Sequence, residues 1–116
     1  METHPLRGAL FETLIITEMI KARAHRGLPS NLYFWRDREG HEVDVVVDEA
    51  GLLLPVEIKS GATLSPDWYN GIRYFAALQA PDPPRSYLIY GGPEGLKRQE
   101  TQVLSWTDLE PLTTIL

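Results

Sequence analysis

Residues 42–59 constrain this chain more than any other stretch. They read Glu42-Val-Asp44-Val-Val-Val-Asp48, then Val56-Glu57-Ile-Lys59 after a short break. Val43, Val45 and Val47 alternate with Glu42, Asp44 and Asp48, the period-2 pattern of a half-buried strand. Val56 and Ile58 alternate with Glu57 and Lys59 in the same way. Two strands this close in sequence form a hairpin. A four-residue loop, Glu49-Ala-Gly-Leu52, closed by Asp48 and Leu53, sets the register. It puts Asp44 opposite Glu57 and Glu42 opposite Lys59. Directly opposed residues share a face, with Cβ atoms about 4.5–5.5 Å apart. Two carboxylates placed so repel and raise each other's pKa unless a cation lies between them. A hard, oxygen-liganded ion such as Mg²⁺ resolves the conflict. A neighbouring lysine orients water or offsets charge on a phosphate.

The constellation Asp44-x(12)-Glu57-x-Lys59 on a hairpin resembles the PD-(D/E)xK nuclease superfamily, of restriction-endonuclease-like fold. Phe11-Glu12 on a preceding helix, Tyr33-Phe-Trp-Arg36, Glu42-Val-Asp44 and Val56-Glu-Ile-Lys-Ser60 extend the likeness. Together they look like the uncharacterised domain that follows an AAA-type ATPase module in many prokaryotic proteins. The resemblance covers roughly residues 8–91. It implies a small mixed sheet flanked by helices, in the order α-β-β-β-α-β. It implies Mg²⁺ or Mn²⁺ held by Asp44, Glu57 and the carbonyl of Ile58, with Glu12 completing the site through water, and Lys59 as the catalytic cation. It implies hydrolysis of nucleic acid, DNA foremost, beside an ATPase module in cis or trans, and it is compatible with a homodimer.

At 116 residues the chain is one domain, able to bury about two-thirds of its unfolded surface. On the resemblance, it is the C-terminal piece of a larger protein. It has no apolar run near the roughly 18 residues of a membrane span. Its polar start, Met-Glu-Thr-His-Pro, does not read as a signal peptide. It has no cysteine, so disulfides and thiolate metal sites are excluded. The expected compartment is the cytoplasm. No Gly-x(4)-Gly-Lys-Ser/Thr occurs, so the chain carries no phosphate-binding loop of its own. The net charge of −5 counts against tight autonomous binding of nucleic acid, which normally uses a basic face. It favours a second function: a non-cleaving nuclease-fold module that serves an ATPase as sensor or interaction domain.

Residues 5–26 predict a helix, with Pro5 in the first turn and Gly27 just past the end. Lys21, Arg23 and Arg26 suit the negative end of the helix dipole. Phe11, Leu14, Ile15, Ile16, Met19 and Ile20 cover most of the circumference, so the helix is expected to be largely buried. Glu12 falls between Ile16 and Met19 on the wheel and needs a partner there. That partner is a metal site or an ion pair with Arg36 or Lys59. Glu18 is expected in a structural salt bridge.

Leu32–Arg36 predicts a strand, and Asp37–Gly40 a turn. Arg36 is expected to pair with Glu12 or Asp44 more than to meet a phosphate. His41 reads as a turn residue, and His4 and His25 as solvated. The bland alternative for the hairpin is a solvated acidic face with a Glu42–Lys59 pair. Ser65 and Pro66 cap a helix running to about Gln79, with Trp68, Ile72, Phe75, Ala76 and Leu78 as its core face. Asn70 and Tyr74 resemble the Gln-x(3)-Tyr helix motif of RecB-like nucleases, with Asn in place of Gln, and packing is the expected explanation for them. Ala80–Pro84 breaks the chain. Ser86–Tyr90 predicts a buried strand parallel to Val56–Lys59 after the helical crossover. Lys97-Arg98 is too short for a nucleic-acid patch. Gln102–Trp106 predicts a last strand, and Thr107 and Glu110 the cap and third position of a short helix. The tail after Pro111 is expected to pack at the edge.

Overall fold

The computed structural model describes residues 5–79, 85–98 and 100–116. Helix α1 spans Pro5–Ala24. Strands β1 (Leu32–Arg36), β2 (Glu42–Glu49) and β3 (Leu52–Lys59) follow. Helix α2 (Asn70–Ala77) then leads to β4 (Ser86–Tyr90), β5 (Leu96–Arg98), β6 (Thr101–Ser105) and α3 (Glu110–Thr113). The six strands form one mixed sheet in the order β1-β2-β3-β4-β6-β5. β1, β2 and β3 pair antiparallel in turn; β3, β4 and β6 run parallel; β5 returns antiparallel to β6. The expected α-β-β-β-α-β order is present, with a helix-flanked mixed sheet.

The sheet divides the core in two. On one face α1 and α3 cover Val45, Val47, Leu54, Val56, Ile58, Tyr87, Ile89 and Leu104, with Ile15 and Met19 reaching in from α1. On the other, Tyr69, Ile72 and Phe75 close over Val43, Val46, Leu88, Tyr90 and Val103. All five residues of β4 are buried, because helices cover both of its faces and strands both of its edges. Pro55 sits in an inner strand without cost to the parallel ladder, since β3 pairs with β4 only from Val56 onward.

From Val45–Val56 to Glu49–Leu52 the hairpin has the register read from the sequence, with Val47 facing Leu54; the expected pairs Asp44–Glu57 and Glu42–Lys59 are not part of the ladder, which stops at Val45–Val56. Its loop is shorter than expected, the two residues Ala50-Gly51. Both have positive φ, 54° and 91°, as the tight hairpin turn that matches strand twist requires. Asp48 steadies it by accepting the Gly51 N–H at 2.9 Å.

Several expectations need correction. Helix α1 is not largely buried: Ile15 and Met19 are, while Leu6, Leu10, Leu14 and Ile20 are exposed. A helix lying on a sheet contacts it along one stripe, and no described residues cover the outer side. Gly27, at φ 73°, ends the helix region as anticipated, and Leu28 N–H bonds back to the Arg23 carbonyl. The second helix opens as a 3-10 turn over Pro66–Tyr69 before becoming α-helical at Asn70. Ser65 makes no capping bond; its hydroxyl is held by Asp67 instead. Leu78 lies past the helix end and is exposed. The last strand begins one residue earlier than expected, and Lys97-Arg98 belong to β5, a short edge strand too brief to show a period. Helix α3 takes Leu109 as its cap and starts at Glu110, because Thr107 spends its hydroxyl on Ser105. The tail is core rather than edge: Leu112 and Leu116 are fully buried, and Arg26 ties the Thr114 and Leu116 carbonyls to the end of α1. The break at Ala80–Pro84 and His4 lie outside the described residues. Among the described residues no helix is long and apolar enough to cross a membrane.

Candidate metal centre

The site begins with an irregularity in β2. Tyr33 pairs with Val46, but Trp35 pairs with Val43, so Phe34 alone stands opposite the two residues Asp44 and Val45. That is a β-bulge with its extra residue in β2. The core shows its effect: Val45 and Val47 face α1, whereas Val43 joins Val46 on the α2 side. The strict alternation of Val43, Val45 and Val47 expected from sequence is broken at Asp44. Regular β2–β3 pairing stops at Val45, and the Asp44 carboxylate accepts the Ile58 N–H at 2.8 Å.

The bulge leaves Asp44 and Glu57 as neighbours at the end of the hairpin ladder. Glu57 is 8 % exposed. Its Oε2 lies 3.0 Å from Lys59 Nζ, and its Oε1 is buried with no partner among the described residues. Burial, then the charge of Asp44, lift the Glu57 carboxyl to about 7 despite the lysine. Burial likewise raises Asp44, against the Ile58 hydrogen bond and Lys59, which lower it. Burial opposes the Lys59 ammonium, but its hydrogen bond to Glu57 and the charges of Glu57 and Asp44 outweigh it and raise its pKa.

Helix α1 supplies Glu12, half-buried and without a hydrogen bond or ion pair among the described residues. Burial raises its pKa, Asp44 raises it further, and Lys59 lowers it. The expected ion pair of Glu12 with Arg36 or Lys59 does not form: Lys59 goes to Glu57, and Arg36 goes to Glu42 at 3.7 Å, both ends well exposed. For the same reason the Glu42–Lys59 and Arg36–Asp44 pairs are absent. Glu12, Arg36, Glu42 and Asp44 line one cleft of about 330 Å³ with Phe34, Trp35 and Val43.

The four residues singled out in the sequence, Glu12, Asp44, Glu57 and Lys59, therefore lie in one electrostatic neighbourhood. Three carboxylates with raised pKa values, one holding an orphaned buried oxygen, fit a divalent cation bound through oxygen. The backbone of Ile58 is tied to the same point through Asp44. The carboxylates of Glu12, Asp44 and Glu57 do not all come within 4.8 Å of one another. Among the described residues the set that does is Asp37, Glu39 and His41. Two of its groups are already engaged: both Asp37 oxygens accept bonds, from the Glu39 and His41 backbone and from His41 Nδ1, and the His41 ring stacks on Tyr74 at 3.6 Å. Tyr74 is thus a packing residue, and Asn70 is exposed. Glu18 forms its salt bridge with Lys21 at 3.2 Å.

Sequence reasoning missed Gly71. A Cβ there would strike the Glu42 carbonyl oxygen and come to 3.9 Å from Glu57 Oε1. This glycine lets α2 lie against the end of β2, closing the far side of the site. Its only trace in the sequence is a glycine inside a helical pattern.

A family model described as Domain of unknown function (DUF4143) matches residues 7–109. The chain belongs to this family. The match takes in nearly all of α1, the whole sheet and every residue of the candidate site, and ends just before α3. No curated protein and no solved structure matches the chain.

Proposed function

We propose that this DUF4143 domain is a metal-dependent nuclease of the PD-(D/E)xK superfamily, acting on nucleic-acid phosphodiesters in the cytoplasm beside an ATPase module. The observation that carries the reading is Glu57: a nearly buried carboxylate with one oxygen on Lys59, the other without a partner, and Asp44 beside it. A buried carboxylate pair is costly unless a cation is bound between its members. Asp44 and Glu57 would hold Mg²⁺ or Mn²⁺, with the Ile58 carbonyl, and Glu12 would reach it through water. Such an ion, when bound, lowers the pKa of water and polarises a phosphate.

The chain's own groups do the rest. Lys59, held by Glu57, keeps an ammonium beside the reacting phosphate and offsets the charge that develops there. The Ile58 N–H fixes the Asp44 carboxylate, so its free oxygen keeps one direction. Arg36 at the mouth of the cleft is held only by a long contact to Glu42 and is available to a phosphate. Metal-dependent cleavage that disappears in Lys59→Ala tests the assignment.

The net charge of −5 favours a second reading, a metal-binding but non-cleaving module of an ATPase. Metal binding without cleavage, in the presence of the ATPase partner, would select it.

A further inference from the structure

Phe34 is 82 % exposed, the most exposed large apolar side chain among the described residues. It is not a surface residue at random. It stands on the edge strand β1, alone opposite the bulge that displaces Asp44, and it lines the cleft shared by Glu12, Arg36, Glu42 and Asp44. Its neighbour Trp35 packs on Phe75 at 5.1 Å and on Tyr74, so that ring belongs to the core. Phe34 has no such contact. An unpartnered aromatic on an edge strand invites aggregation and contributes nothing to the core.

The charge of the cleft narrows what the ring meets. Three carboxylates and one cation, Arg36, line it, so it offers little phosphate neutralisation to duplex or single strand alike, and binding there needs a contact other than charge. A flat aromatic face instead binds an unstacked base, and does so whatever the sequence. In a duplex the bases are stacked inward and out of reach of a ring on a protein edge.

We propose that Phe34 stacks on an unpaired nucleobase and so selects single-stranded nucleic acid for the adjacent carboxylate site. The proposal rests on the nuclease reading for what happens to that strand. Arg36, two residues on and at the same cleft, meets the neighbouring phosphate. The bulge sets the two geometries together, with Phe34 standing opposite Asp44 and Val45.

The test uses the whole chain with Ca²⁺ in place of Mg²⁺, and a fluorescein-labelled oligothymidylate, alone or annealed to its complement. Anisotropy is expected to show tighter binding to the single strand. Phe34→Ala should weaken that binding by about tenfold or more, and Phe34→Trp should restore it. An oligonucleotide carrying 2-aminopurine should be quenched by the native protein and by Phe34→Trp, not by Phe34→Ala. Equal affinity of native protein and Phe34→Ala for the single strand overturns the proposal. So does a dimer in sedimentation that Phe34→Ala dissolves while single-strand binding is unchanged, which would assign the ring to a second copy of the chain. Cleavage in Mg²⁺, measured separately, tells the two claims apart. Phe34-dependent binding without cleavage removes the nuclease and keeps the stacking site; cleavage indifferent to Phe34 does the reverse.

Discussion

Glu57 places one carboxylate oxygen 3.0 Å from Lys59 Nζ and leaves the other buried with no partner. The two residues lie on the same side of β3, two positions apart, so the strand itself holds the ion pair at the ladder end. The lysine does not fully offset the burial, and the Glu57 carboxyl stays near 7.

That gives a pH dependence. The folded pKa of Glu57 is about 7 and its ordinary value 4.5, so between these pH values the folded state holds a proton that the unfolded state has lost. The stability of the metal-free protein therefore falls as pH rises from about 4.5 to about 7 and levels off above. Urea unfolding at a series of pH values, in the presence of a chelator, should show this. Glu57→Gln removes the group whose shift is large and should make the fall shallower, Asp44 and Glu12, raised in the same direction, supplying what is left. A metal-free native protein that gains stability over this range would contradict the assignment.

Divalent metal should act in the opposite sense. With Mg²⁺ or Mn²⁺ at 100 times its dissociation constant, binding to the folded state alone adds about 2.7 kcal/mol. The melting temperature should rise by several degrees at pH 8. Asp44→Asn and Glu57→Gln should each lose most of that rise. Asp37→Asn should keep it, because the Asp37 carboxylate serves the turn before His41. A rise lost in Asp37→Asn and kept in Glu57→Gln would move the metal to the turn.

The fold was legible where one residue's neighbours decide its place. The two hairpin strands, their register from Val45–Val56 to Glu49–Leu52, and the parallel, buried β4 follow from alternation and crossover length. The bulge did not show. Asp44 and Val45 have nothing in their own sequence to mark an extra residue; the partner strand β1 creates it by offering Phe34 alone. The exposed side of α1 was also invisible, since Leu14 and Ile20 read as core on the wheel and only the sheet decides which stripe is covered. In the site, Asp44, Glu57 and Lys59 were readable from spacing and Glu12 from resemblance. The partners were not: Glu42 goes to Arg36 across the β1–β2 pair and Lys59 to Glu57 along β3, and neither contact follows from the hairpin register.

Gly71 should prove structurally demanding. Gly71→Ala puts a methyl into the Glu42 carbonyl, backbone against backbone, which neither helix nor strand can yield without moving. Overpacking of this kind costs about 1–3 kcal/mol. Urea unfolding measures it, and metal affinity should fall in parallel because the β2 end shifts. A Gly71→Ala protein as stable as the native one would mean that α2 does not bear on the site.

The hairpin turn offers a stabilising change. Ala50 sits at φ 54°, a conformation that costs an alanine but suits asparagine, and Gly51 already follows it. Ala50→Asn should stabilise the chain by part of the about 1–2 kcal/mol that the left-handed conformation costs. No gain, measured by thermal unfolding, would argue against the two-residue turn.

The most direct measurement is cleavage itself. Supercoiled plasmid and single-stranded circles are incubated with the protein and Mn²⁺ or Mg²⁺, beside Lys59→Ala purified in the same way and shown by melting to be folded. The account predicts metal-dependent strand scission by the native protein, greater on the single-stranded circles, and none by Lys59→Ala. Equal scission by both proteins would contradict it.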